Sequence, residues 1–377
     1  MDTLYLAAIC AFASGINRAV LPQLVERLGS ARAVFEADAA ALKSTGLVTE
    51  SVINKFISHR SSNLPKKIAR FCKQNNVKLV SYADADYPNC LKQIANPPLV
   101  LYVKGKLPAA DYSIAIVGSR LCTEYGRRAA TYFSEQLARC GIPIISGGAR
   151  GIDTAAHKAC LAAGGQTVAV LGCGLDIVYP EENGRLYTEI VAQGGAVITE
   201  YAPGVLPFNY NFPARNRIIV GLSQGVLVAE AAKRSGAIIT ANLAADAGRE
   251  VYCVPGNIFD RTSIGCHELI RTGAKLIDKP EHILEDKASW ELAQHERIFQ
   301  PSIFNFNYLE QEEKSTSNIV TTKLGAQLLA LLQGGALSLE ALTEKSGADF
   351  ASVGMELLEL QGAGLIAQNQ AQQYYRR

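Results

Sequence analysis

Two periodicities alternate through the middle of the chain. Continuous apolar runs rich in β-branched residues and alanine stand at 113–117, 142–146, 166–171, 196–199, 226–229, 250–254 and 275–278. A run without polar alternation is what a strand buried on both faces of a parallel sheet requires. Longer amphipathic stretches separate these runs. In the first of them Ala129, Phe133 and Leu137 recur at helical spacing, behind Thr123 and Glu124, which are placed to start a helix. This alternation from 112 to 278 predicts an α/β fold built on a doubly wound parallel sheet.

The flanks read differently. Residues 1–65 pattern as a small helical domain. Leu21 to Ser30 is a helix ended by Gly29, and short helices follow through Ala33–Phe35, Ala39–Leu42 and Glu50–Ile57. The turn Ser44-Thr45-Gly46-Leu47 has the form of a helix-hairpin-helix turn, for which docking or packing is the expected role. A basic helix (Lys66–Gln74), a strand around Lys78–Tyr82 and a second strand at 97–103 show no core of their own and are expected to extend the sheet, giving one domain over 66–280. From 281 to 320 the chain turns polar, holds Trp290 and contains Gln311-Glu312-Glu313-Lys314-Ser315-Thr316-Ser317, a linker composition. Over 321–377 three short helices (Leu324–Leu332, Leu339–Lys345, Ser352–Gln361) and a small hairpin (Gly364–Ala367 with Gln373–Tyr375) make a winged-helix pattern. The helix in the recognition position carries two glutamates and no cation, which argues for a protein-contact or structural role over groove reading.

Composition narrows the classes. A chain of 377 residues, 48% hydrophobic and 19% charged, is globular and long enough for two or three domains. The net charge of +2 permits an acidic partner without demanding one. Nine cysteines lie scattered without a CxxC pair, which implies buried thiols in a reducing compartment and no metal site. The opening MDTLYLAAICAFASG carries Asp2 where a signal peptide needs a basic residue, so it reads as a helix. With no apolar run of membrane-spanning length, the expectation is a cytoplasmic protein without a membrane partner.

The candidate chemistry sits where strand runs stop. Gly118-Ser119-Arg120 and Gly147-Gly148-Ala149-Arg150-Gly151 are small-residue turns between a strand and a helix, each with one fixed cation. Such turns at the carboxyl ends of parallel strands are where α/β sheets bind ligands. Small residues allow close backbone approach, and helix N-termini present free N–H groups to anions. Together they read as a phosphate-binding edge, the alternative for Arg120 being an ion pair with Asp176 or Glu200. Asp153 is placed to cap a helix rather than to act as a catalytic acid. The segment Phe208 to Arg217 interleaves aromatics, amides and the cations Arg215 and Arg217 with Asn216, the mixture that single-strand binders need. Read as extended before Pro213, it puts Phe208, Tyr210 and Phe212 on one face, with Phe208 as a stacking platform and Phe212 as core. Lys233-Arg234-Ser235-Gly236 is a further basic turn, and Arg185 extends the track. Neither GxxxxGK[ST] nor GxGxxG with a ribose-binding acid occurs, and Gly172-Cys173-Gly174 leads into no helix, so no nucleotide cofactor is expected.

Several motifs in order carry a resemblance. Val117–Arg120, Ser146–His157, Phe212–Ile219, Ser235–Ala241, Gly248–Val251 with Val254-Pro255-Gly256, and Gly265–Ile270 together resemble the bacterial DNA-processing protein A family, also called DprA or Smf, strongly over about 70–280. The resemblance implies an extended Rossmann-like core between a helical N-terminal domain and a winged-helix tail. It implies a protein that binds single-stranded DNA in natural transformation, protects incoming strands and loads the RecA recombinase, without an enzymatic step. It also implies a homodimer on the helix 238–247 and the segment 266–270, through Leu243, His267, Leu269 and Ile270. The rival reading is a Rossmann-like nucleotide phosphoribohydrolase of the lysine-decarboxylase-like family, whose alanine-rich helix is echoed by Ala155–Gly165. Those enzymes need PGGxGTxxE, where this chain has the cationic Glu230-Ala231-Ala232-Lys233-Arg234-Ser235-Gly236-Ala237. A duplex operator-binding regulator is a third class, weakened by the acidic candidate recognition helix.

Overall fold

The computed structural model describes residues 2–11, 16, 19–299, 323–362, 365–368 and 373–376. It divides into two compact units, Met1–Gln300 and Pro301–Arg377. The first opens with six helices, α1 (Asp2–Cys10), α2 (Leu21–Leu28), α3 (Ala31–Glu36), α4 (Ala39–Ser44), α5 (Glu50–His59) and α6 (Leu64–Gln74). Strand β1 (Val77–Ser81), the short α7 (Asn89–Lys92) and β2 (Val100–Gly105) follow. The alternating region then gives β3 (Ile114–Gly118), α8 (Glu124–Arg139), β4 (Ile144–Ser146), α9 (Ile152–Ala162), β5 (Thr167–Val170), α10 (Gly184–Ala192) and β6 (Ala196–Thr199). It continues with α11 (Asn211–Gly221), β7 (Gly225–Glu230), α12 (Gly236–Asp246), β8 (Glu250–Cys253), α13 (Ile264–Arg271), β9 (Lys275–Leu276) and α14 (Glu281–Phe299).

Nine strands form one sheet in the order β1-β2-β6-β5-β4-β3-β7-β8-β9. All neighbours from β6 to β9 pair in parallel, while β2 is antiparallel to both β6 and β1. The α/β doubly wound sheet read from the apolar runs is borne out. Alternate residues of a strand serve different cores, which is why those runs lack polar positions. Ile114 and Ile116 of β3 pack with Phe133 and Leu137 of α8 and Ile152 and Ala156 of α9. Ala115 and Val117 face the other way, towards Ile218 and Ile219 of α11 and Ala241 and Ala244 of α12. Beyond β5 the first face is covered by Leu186 and Ile190 of α10. The chain winds from β3 out to β6, crosses back through α11, and resumes at β7 beside β3. That reversal opens a crevice at the carboxyl ends of the strands.

The N-terminal helices share a core with β1 and β2: Leu24, Phe35, Leu42 and Phe56 pack in one cluster with Val77, Val100 and Tyr102. The helix-hairpin-helix-like turn is tied down by the Arg27 guanidinium on the Thr45 carbonyl. The segment from 281, expected as a linker, begins as helix α14. Its buried Ile283 joins the α8/α9 core, and Trp290 meets Tyr112 edge-on at 5.4 Å. The rest of that segment, 300–320, lies outside the described residues. The second unit contains α15 (Lys323–Leu331), α16 (Leu339–Ser346), α17 (Phe350–Gly362) and an antiparallel pair β10 (Ile366–Gln368) with β11 (Tyr374–Arg376). Leu328, Leu332, Leu342, Val353, Leu357 and Ile366 form its core.

Candidate nucleic-acid interface

The two glycine-rich turns lock together at the carboxyl edge of the sheet. A Cβ on Gly118 would stand 2.5 Å from the Ile152 side chain and 2.9 Å from the Glu230 carbonyl. Gly151 has φ +75°, and a Cβ there would meet the Ser119 oxygen at 2.3 Å and the Arg120 oxygen at 2.6 Å. Only glycine permits that approach with that backbone. The turn is closed by the Ser119 amide donating to the Glu230 carbonyl (2.9 Å) and the Ile152 amide to the Ser119 carbonyl (3.2 Å). The turn lifts Arg120 to an exposed tip, its guanidinium 4.9 Å from the centre of the Phe212 ring. That is within cation–π range. Tyr179 lies 5.4 Å from the same ring. Arg120, Gly147, Gly148, Tyr179, Phe212 and Arg215 line one shallow cleft. The carboxylates considered as partners for Arg120 are engaged elsewhere, Asp176 by the Gly204 amide at 2.8 Å and Glu200 by Arg217 at 2.7 Å.

Beneath the cleft lies a buried cation. Arg215 is 3% exposed, and its guanidinium donates to the Gly147 carbonyl at 2.6 Å and to the Val170 carbonyl. Burial pulls its pKa down, against the field of the Asp153 carboxylate. Asp153 and Arg215 flank Gly147, where a Cβ would stand 2.7 Å from each. Asp153 is not the N-cap of α9. That position belongs to Gly151, and the Asp153 carboxylate instead accepts from the Ala149 amide at 3.2 Å. Arg215 thus braces the β4–α9 turn from below instead of reaching out to a ligand.

Residues 78–288 match the model of the DNA recombination-mediator protein A family. The chain belongs to that family. Its sequence is 38% identical to Protein Smf of Escherichia coli K12 over 88% of this chain and 85% of that protein. It is 44% identical to DNA processing protein DprA of Streptococcus pneumoniae over 55% of this chain and 73% of that one. The X-ray structure of the S. pneumoniae DprA superposes with a TM-score of 0.63 at 34% identity, covering 76% of this chain and 98% of the other. The DNA processing protein A of Helicobacter pylori, solved for its single-stranded DNA binding mode, gives 0.50 at 26% identity over 57% and 98%. The resemblance read from the motifs is thereby borne out.

Within this member of the family, the remaining residues predicted from the sequence divide sharply. Arg150 is ion-paired with Glu182, Arg185 with Glu189 at 2.8 Å, and Lys233 with Glu268 at 2.9 Å. Arg217 is largely buried on Glu200, and Asn216 is buried beside it. Ser235 is the N-cap of α12, with Gly236 exposed as its first residue. Phe208 and Tyr210 are exposed and stacked on each other, 5.5 Å apart and 8° from parallel. The extended alternation expected there is not found. Asn211 opens α11 with its side-chain amide donating to the carbonyls of Gly172 (2.9 Å) and Leu206 (3.1 Å). Pro213 then sits in the first helical turn, where its missing N–H costs nothing. Phe212 consequently lines the cleft, half-buried, and is not core. On the α12/α13 face Leu269 is buried, Leu243 and Ile270 are half-buried against the same core, and His267 Nε2 lies 3.1 Å from the Gly256 carbonyl. Ile239 is the large exposed apolar side chain there, at 45%.

Sequence reasoning missed the supports. Tyr187 donates its hydroxyl towards the carbonyls of Gly148 (2.9 Å) and Tyr179 (2.8 Å), fixing both walls of the cleft. Glu230 accepts from the Thr123 amide (3.1 Å) and hydroxyl (2.5 Å), pinning the start of α8 to the end of β7. An acid at the end of an otherwise apolar strand, with Gly126 opposite, was the readable signal. Among the described residues no cluster suits a metal, and no helix is long and apolar enough to cross a membrane.

Two buried groups of α9 oppose each other in acid. Burial holds His157 at about 3, against an ordinary 6.5, and raises Asp153 to about 6, against 3.8. For His157 the unfolded chain binds the extra proton, so stability falls as pH drops from 6.5 towards 3. For Asp153 the folded chain binds it, so that contribution is full below 3.8 and lost as pH rises through 6. The two slopes offset each other between about pH 4 and 6. Asp153→Asn removes one of them, so its urea midpoint should drop more steeply on acidification across that window than the wild type's. Parallel profiles would refute the assignment.

Proposed function

We propose that this protein binds single-stranded DNA along the carboxyl edge of its sheet and acts as a recombination mediator, protecting strands taken up in natural transformation and loading the RecA recombinase onto them. One observation carries the reading. Arg120 stands exposed on a turn fixed by interlocking glycines, its guanidinium over Phe212, with the carboxylates nearest in sequence logic engaged elsewhere. A preplaced guanidinium beside aromatic rings and helix starts suits a phosphate with its base splayed to one side. The single-strand binding mode of the H. pylori relative supports it. Phe208 and Tyr210 offer exposed ring surface on the same edge.

The reading is of a binding protein without an enzymatic step. Glu230, the acid that a phosphoribohydrolase reading would recruit, spends both carboxylate oxygens on Thr123, and Asp153 is buried. A homodimer through Ile239, Leu243, His267 and Ile270, a winged-helix tail that contacts protein, and a helical module over 1–65 before a DNA-binding core over 66–280 complete the proposal, in the cytoplasm.

Oligo-dT titration against salt tests the core of it. Arg120→Ala should weaken binding about tenfold or more, as for loss of a charge-assisted contact, and lower the single-strand salt slope by about 0.7. Duplex of the same sequence should bind more weakly. Unchanged affinity with an unchanged slope would sink the assignment.

A further inference from the structure

The carboxyl edge does not stop at β6. Because β2 is antiparallel to both β6 and β1, strand β1 runs in the same direction as β6 and ends at the same edge. Tyr82 follows directly, its amide held by the Leu99 carbonyl at 2.9 Å. Five strand spacings separate β1 from β3, so this point lies about 24 Å along the edge from the Arg120 turn.

What stands there has the chemistry of a single-strand subsite. Tyr82 is 40% exposed and rests on Tyr87, with ring centres 5.5 Å apart. Tyr87 is 2% exposed and anchored by its hydroxyl to the Pro98 carbonyl at 2.7 Å, so the outer ring sits on a fixed inner one. The Lys92 ammonium lies 5.6 Å from the Tyr82 ring and 5.9 Å from the Tyr87 ring. Many other cations of this chain are spent on carboxylates, Lys78 on Asp86 close by among them. Lys92 lies against two aromatic rings and, among the described residues, makes no ion pair. An exposed ring held from below, with an unneutralised cation at its side, offers one face to a base and one charge to a phosphate.

We propose that Tyr82 and Lys92 form a second subsite for single-stranded DNA, engaged only by strands long enough to extend along the edge from Arg120. The proposal rests on the single-strand reading above and adds to it a polarity of length: short strands occupy the Arg120 cleft, longer ones reach β1. The bland alternative is that Tyr82 merely covers Tyr87, in which case its loss changes stability and not the dependence on strand length.

A ladder of oligo-dT from about 4 to about 16 nucleotides, spanning the usual site sizes, separates these outcomes. Wild-type affinity should step up once the strand spans the two sites. Tyr82→Ala should bind short strands as wild type does and lose about tenfold on long ones, the range for one stacked base, while Tyr82→Phe keeps the step. Lys92→Gln should lower the salt slope by about 0.7 for long strands only. It carries the test alone should Tyr82→Ala melt early. Wild-type behaviour of both variants at every length, or equal losses at every length, would overturn the subsite. Arg120→Ala distinguishes the two readings: it should weaken binding at all lengths, so an effect there without one at Tyr82 and Lys92 removes only the subsite. A wild-type protein that holds no oligo-dT removes both.

Discussion

Arg215→Met should cost several kcal/mol of folding stability, since each buried polar group left without its partner costs about 1–3 kcal/mol. The guanidinium donates to the Gly147 and Val170 carbonyls, and its positive charge acts more strongly than that of Arg120 on the buried Asp153. Methionine fills much of the volume but leaves both carbonyls without that donor and the carboxylate uncompensated. Both bonds leave one guanidinium nitrogen, Nη1, so the two strand ends are joined through a single group. The measurement is urea unfolding followed by far-ultraviolet circular dichroism at neutral pH. A midpoint like the wild type's would show that Arg215 does not brace the turn. Single-strand affinity per folded molecule should fall as well, since the Gly147–Gly151 turn rests on that side chain. The expected ranking is stability first and binding second, the reverse of Arg120→Ala.

Gly151→Ala should be the most damaging small change on the edge. Its φ of +75° with ψ −123° is a conformation open to glycine alone. The added Cβ would also stand 2.3 Å from the Ser119 oxygen and 2.6 Å from the Arg120 oxygen, both backbone atoms that cannot swing aside. Backbone strain of about 1–3 kcal/mol adds to an overpacking cost of about 1–3 kcal/mol. The Arg120 turn must shift to relieve the clash, so oligo-dT affinity should drop together with stability. Gly164→Ala is the control: it has φ +74° but open space around its Cβ position, so it carries the strain without the clash. If the two variants lose equal stability and bind equally, the interlocking of the two turns contributes nothing.

The parts of this chain that depend on local pattern are legible in the sequence. Buried parallel strands need apolar residues on both faces, so the runs at 113–117, 196–199 and 226–229 announced β3, β6 and β7. Small-residue turns after a strand need glycine for close approach, so Gly118, Gly147, Gly148 and Gly151 marked the edge that the fold brings together. The segment 208–217 shows where legibility ends. Composition there showed three aromatics and two arginines, but not their directions. The side-chain amide of Asn211, reaching the Gly172 carbonyl 39 residues away, starts α11 early and turns Phe212 into the cleft. Arg215, four positions on, is carried beneath it onto Gly147 and Val170.

The sequence alone therefore determined which residue types lie at the strand ends, because period and turn chemistry are properties of neighbours in the chain. Only the tertiary structure decided which cations remain available to a ligand. Arg150, Arg217 and Lys233 each met a carboxylate, whereas Arg120 and Lys92 were left on aromatic rings. Two of those carboxylates, Glu182 and Glu268, lie about thirty-five residues or fewer away in sequence but on other elements, and Glu200 reaches Arg217 from the end of another strand. Charge pairing acts over a few ångströms in space, and no spacing rule along the chain reports which side chains the packing of a nine-stranded sheet brings that close.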